Sequence, residues 1–118
     1  MKRVRLSSKK KEELLGQLCR RGRKCHYCGI REEEFPGIWE IRQKGFYGFD
    51  KKRQPKRGRK LEVDRKDETQ GYDMTNCVPA CALCNMAKSN MFHYKEFRLV
   101  GNVIREIWQE RKLRVSHG

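Results

Sequence analysis

The chain has 118 residues, 36% hydrophobic and 37% charged, with 29 Lys and Arg against 15 Asp and Glu for a net charge of +14. So short and polar a chain predicts one domain over residues 1–118 whose thin core needs a staple such as a metal. No apolar run reaches the roughly 20 residues of a membrane span, and the N-terminus is basic without the apolar stretch of a secretory signal, so membrane and secreted classes drop out and the charge points to a nucleic-acid binder.

Residues 1–8 read as a basic arm. Ser7 or Ser8 caps a helix over about Lys9–Arg21, with Leu14, Leu15, Leu18 and Cys19 as its packing stripe. Gly22 and Gly29 then punctuate a tight knuckle, Cys25-His26-Tyr27-Cys28. Residues 31–60 are harder to assign: Trp39-Glu40-Ile41 reads as a short strand, and a basic loop follows. Seven of the ten residues 51–60 are basic (Lys51, Lys52, Arg53, Lys56, Arg57, Arg59, Lys60), and Pro55 and Gly58 block regular structure. We expect this loop to contact phosphates, although a solvated loop would share its composition.

Leu61-Glu62-Val63-Asp64-Arg65 alternates apolar and polar residues as a half-buried strand does. A turn containing Gly71 leads to a return strand, Cys77–Ala80, which Pro79 limits to an edge or a strand end. A helix starts near Ala82 and completes a strand–turn–strand–helix core over residues 61–90. A longer helix fills residues 91–118, where Val100, Val103, Ile104, Ile107 and Trp108 form an apolar face read as core. Gly101 is a weak spot in it. The expected fold class is a small α+β core with an N-terminal helix and a longer C-terminal one.

The six cysteines belong to a reducing compartment, where paired cysteines bind metal more often than they form disulfides. Cys25/Cys28 and Cys81/Cys84 are two CxxC pairs separated by 52 residues. Each pair supplies two corners of a tetrahedron with arms of about 2.3 Å, so together they form a closed, structural zinc site. Zinc binding is also folding free energy, which so thin a core needs. Cys19 and Cys77 are left over as small buried apolar residues, and His26 is expected at the surface.

Asp64 ends the first strand, and Asn85 follows the last thiolate on the helix. If the hairpin folds on that helix, a carboxylate and an amide oxygen face one point, a donor set that suits Mg²⁺ completed by waters and a phosphate. Lys88, about one turn on, would share that face and the same phosphate. Spacing alone is equally consistent with a turn acid and a helix-surface amide.

The segment as a whole resembles the HNH endonucleases, the ββα-metal nucleases, preceded by their first zinc knuckle at Cys25 and Cys28. Asp64, Gly71, Asn76, Cys81, Cys84, Asn85 and Lys88 fall in that family's order. The run Val63-Asp64-Arg65-Lys66-Asp67, Gly71-Tyr72, Asn76 and the cysteine helix is similar to a bacterial and phage branch. So are the element Gly45-Phe46-Tyr47-Gly48 and the helix start Phe92, Tyr94 and Phe97. The resemblance implies a DNA endonuclease in a bacterial or phage-infected cytoplasm, with RNA as the other nucleic acid open to it. It also implies a structural zinc, a catalytic Mg²⁺ or Mn²⁺ on Asp64 and Asn85, and Asn76 orienting the loop. Oligomeric state stays open. The chain departs from the family at one catalytic position: Arg65 stands where the family has its general-base His. Arginine stays protonated and cannot take a proton from water, which leaves Asp67, His93 or the substrate for that role. The other function compatible with this departure is a zinc-stabilised nucleic-acid-binding protein that does not cut.

Overall fold

Ser7 opens the first helix, α1 (Ser8–Leu18), by accepting the Lys10 backbone N–H on its hydroxyl at 3.2 Å. The structure is a computed structural model and describes residues 6–37, 40 and 58–117. Leu14, Leu15 and Cys19 turn inward, as the stripe requires. The helix stops at Leu18, short of the expected Arg21, because the chain turns at Cys19 and passes through Gly22 at φ 139°.

The knuckle is a tight hairpin. Cys25 N–H donates to Ile30 O at 3.0 Å, Gly29 N–H donates to Cys25 O at 2.9 Å, and Gly29 sits at φ 73°. His26 N–H crosses to Pro79 O at 2.8 Å and ties the hairpin to the core strands. A short 3₁₀ turn follows at Glu32–Glu34. Glu40 is helical, so no strand passes through it as expected from the sequence, and its neighbours Trp39 and Ile41 lie outside the described residues.

Strands β1 (Glu62–Arg65) and β2 (Cys77–Ala80) pair antiparallel, with Asp64 opposite Val78 and Arg65 opposite Cys77. Helix α2 (Ala82–Lys88) follows directly, and α3 (Tyr94–His117) closes the chain. This is a small α+β fold. The alternation in β1 is real, but its burial differs from a half-buried strand: Asp64 is only 8% exposed. The polar face of β1 is the one turned toward α2 and the knuckle.

A clamp at the start of β1 explains this placement. Arg23 Nε and an Nη reach the two Glu32 oxygens at 2.6 and 3.1 Å, and Glu32 Oε2 accepts the Leu61 N–H at 2.7 Å. Helix α3 has a reciprocal cap. His93 N–H donates to Glu96 Oε1 at 2.8 Å, and His93 Nδ1 accepts the Lys95 N–H at 3.1 Å. Phe97, Ile104 and Trp108 enter the core beside Leu15, Tyr27, Ile30 and Val78. The rest of the expected apolar face does not, because Val100 is half-buried while Val103 and Ile107 are exposed. Among the described residues no helix is long and apolar enough to cross a membrane.

Gly101 has a packing reason. A Cβ there would meet the Tyr27 carbonyl oxygen at 2.3 Å and its carbon at 2.5 Å. Gly101→Ala should therefore force the knuckle off α3 and cost about 1–3 kcal/mol, despite alanine's better helix propensity. Urea unfolding of parent and variant measures this, and equal midpoints would contradict the contact.

The Glu32 clamp is pH-dependent. The Arg23 hydrogen bond holds the Glu32 carboxyl below its ordinary 4.5. Its contribution is thus present above that value and fades as pH falls through the lower folded value. Glu32→Gln should cost stability at pH 7 and progressively less on acidification toward pH 3, read as a shrinking difference in melting temperature.

Candidate active site and thiol cluster

The knuckle and the start of α2 bring four sulfurs together. The Sγ atoms of Cys25, Cys28, Cys81 and Cys84 lie within 4.8 Å of one another, all buried, with Cys28 and Cys81 at 3.8 Å. Arms of about 2.3 Å imply tetrahedron edges of about 3.8 Å, so the set fits a tetrahedral, thiolate-bound ion. Hydrogen bonds from Cys28, Cys81 and Cys84 hold the Cys25 thiol far below its ordinary value, while the Cys25 sulfur pushes Cys81 and Cys84 far up. Four neighbouring thiolates repel, and a cation at their centre relieves the conflict. Cys19 and Cys77 stand apart: burial pushes both thiols up, and they serve as core residues.

Beside this cluster lies an open groove of about 1060 Å³, lined among others by Asp64, Arg65, Asn76, Asn85, Lys88 and His93. Asp64 and Asn85 thus border one space, and each has a protein partner. Tyr27 Oη donates to Asp64 Oδ2 at 2.6 Å, and Lys88 Nζ lies 3.2 Å from Oδ2 and 3.5 Å from Oδ1. Asn85 Nδ2 donates to Glu62 Oε1 at 2.9 Å, a bond that does not use its amide oxygen. Glu62 and Asp64 share one face of β1, and Asn85 and Lys88 one face of α2, so the two pairs sit side by side.

Lys88 lines the same groove. It is 4% exposed and turned onto Asp64 and the Arg65 carbonyl. A buried carboxylate needs a counter-charge, and Lys88 is the cation in reach. Asn76 commits its amide to the loop: Nδ2 donates to Asp67 O at 3.0 Å and Gly71 O at 2.9 Å, while Oδ1 accepts the Asp67 N–H at 3.1 Å. Arg65 donates to Gln70 O at 3.1 Å and stacks over the Tyr72 ring at 4.7 Å.

The two side chains proposed to replace the missing histidine are poorly suited to it. His93 Nδ1 already accepts the Lys95 N–H, so the neutral ring carries its proton on Nε2 and has no free acceptor nitrogen. Asp67 Oδ1 accepts both the hydroxyl and the N–H of Thr69, which hold its carboxyl below the usual range and make it a weak base. In the basic loop, Arg59 and Lys60 are exposed, and Lys51, Lys52, Arg53, Lys56 and Arg57 lie outside the described residues, as does the element 45–48.

Sequence reasoning passed over Tyr27 and Glu62. Glu62 had a signal, since a residue two before Asp64 on a strand shares its face. Tyr27 had none, because its contact spans 37 residues of chain.

No protein-family profile and no curated protein sequence matches the chain. A solved structure of the rare-cutting HNH restriction endonuclease PacI does: it is 35% identical, with a TM-score of 0.56 and 75% of this chain covered. The chain is related to the HNH family. The match spans 56% of PacI, so this HNH relative corresponds to little more than half of that protein.

The thiol cluster makes a direct prediction for this HNH relative. Cys81→Ser should reduce bound metal well below about one ion per chain and leave an insoluble or unfolded product. Metal analysis of the purified protein and its melting curve check this; a well-folded, metal-free variant would remove the structural role.

Proposed function

We propose that the chain is a metal-dependent HNH-type endonuclease that hydrolyses phosphodiester bonds in DNA, with zinc as the ion of its four thiolates. One observation carries the reading. A strand carboxylate and a helix amide line a single open groove next to a four-cysteine cluster, in a chain 35% identical to an HNH restriction endonuclease. The buried thiols suit a reducing compartment such as the cytoplasm.

Asp64 and the Asn85 amide oxygen would hold Mg²⁺ or Mn²⁺, which supplies Lewis-acid neutralisation of charge at the phosphate. Tyr27 and Glu62 hold these two donors from behind. Asn76 fixes the loop that carries Asp67 to Thr75. Arg65, stacked on Tyr72, would pair with phosphate oxygens through its guanidinium. The basic strip from Lys51 to Lys60 grips the backbone, with an affinity that falls steeply as salt rises. With Arg65 at the histidine position, and with Asp67 Oδ1 and His93 Nδ1 each accepting a backbone N–H, the family's own general base is absent. That absence slows hydrolysis by about 10²–10⁴-fold relative to a site that has one. The same facts, together with the Lys88–Asp64 pair, favour the second reading, a zinc-stabilised nucleic-acid-binding protein that does not cut.

Plasmid nicking separates the two. Supercoiled DNA should be nicked with Mg²⁺ or Mn²⁺ and left intact with EDTA, and Asp64→Ala and Asn85→Ala should reduce cutting to background. Equal cutting by all three proteins would identify a contaminant and remove the nuclease reading. Arg65→His should cut faster than the parent, and an unchanged or lower rate would place water activation elsewhere.

A further inference from the structure

The knuckle does more than present two thiols. Between Cys25 and Cys28 stands Tyr27, whose ring is 3% exposed and packs edge-on against Phe97, with centroids 5.1 Å apart at 89°. The same ring meets His26 edge-on at 5.2 Å. Its backbone is pressed against α3 where Gly101 leaves no room for a Cβ. Packing on two sides thus fixes where the phenol points, and it points at Asp64 Oδ2, 2.6 Å away.

We infer that Tyr27 is a positioning residue for the catalytic metal: through its hydroxyl, the knuckle that holds the thiolate-bound ion also sets the angle at which Asp64 meets the divalent ion. The inference rests on the nuclease reading and adds a residue to it. The hydroxyl takes one Oδ2 lone pair and stops the carboxylate from rotating, while Lys88 lies near both oxygens. A divalent ion must therefore approach along the directions Tyr27 leaves free. Without the hydroxyl, the carboxylate can rotate further onto Lys88 and bind the ion less well. Groups that hydrogen-bond a ligating carboxylate typically account for about 10–100-fold in metal affinity or activity. Arranged this way, two metal sites distant in sequence are joined by one side chain: loss of the first ion loosens the aim of the second.

The test is Tyr27→Phe, which keeps the ring and deletes one oxygen, in the full zinc-loaded chain. Mn²⁺ binding, read by the loss of the free-ion electron paramagnetic resonance signal, should weaken about 10-fold or more, with zinc content unchanged. The Mn²⁺ concentration for half-maximal nicking should rise in step. On an Asp64→Ala background the same substitution should change neither quantity, which a merely structural tyrosine would not reproduce. If Tyr27→Phe does not fold, the unaltered protein still decides. The buried Tyr27 hydroxyl proton should give a downfield magnetic resonance signal that shifts saturably as Mg²⁺ is added, and a signal indifferent to Mg²⁺ overturns the inference. A parent that binds Mn²⁺ and nicks, with a Tyr27→Phe variant that does both equally well, overturns the inference alone. A parent that neither binds Mn²⁺ nor nicks overturns the nuclease reading with it.

Discussion

Four thiols, two from a hairpin and two from a helix start, converge within 4.8 Å of one another, and much of the arrangement of the molecule follows from that convergence. Sulfurs this close interact strongly: hydrogen bonds from its neighbours hold the Cys25 thiol down, and the Cys25 sulfur pushes Cys81 and Cys84 up. Binding a cation there joins segments 52 residues apart in sequence, a loop closure that a core of this size would struggle to hold by apolar burial alone. Other contacts hold the same knuckle. His26 N–H reaches Pro79, Tyr27 reaches Asp64, and the knuckle backbone settles on Gly101.

The sequence was informative where local chemistry is periodic or stereotyped. Ser7 announces α1, the two CxxC pairs announce the thiol cluster, and the run from Leu61 to Lys88 announces strand, turn, strand and helix in order. It was uninformative where long-range contacts decide. Alternation in β1 gives the two faces without saying that both are covered: Leu61 is 4% exposed and Asp64 8%, the latter because Lys88 and Tyr27 come from elsewhere to neutralise and bond it. The helix-period stripe on α3 is likewise wider than the face the core uses: Ile104 and Trp108 are covered, and Val103 and Ile107 are not. Glu40 lies among aromatic residues that suggested a strand, yet its backbone is helical.

Two kinds of constraint meet at the groove. Asp64 and Asn85 are each hydrogen-bonded to a neighbouring side chain, Tyr27 and Glu62, and Asn76 is spent on loop geometry. Pre-organisation of this sort limits how far a donor moves when a ligand arrives. It also explains why the residues nearest the missing histidine do not replace it. His93 and Asp67 are already engaged in ending loops and starting a helix, and a nitrogen or oxygen that caps backbone amides is poorly placed to accept a proton from water.

The buried Lys88 ammonium has a consequence for the field inside the groove. A bare carboxylate on the floor of a groove would push a polyanion away until a divalent ion had first bound. Here Lys88, 4% exposed and 3.2 Å from the carboxylate, neutralises that floor from within, so the field the groove presents to an anion does not wait on an added cation.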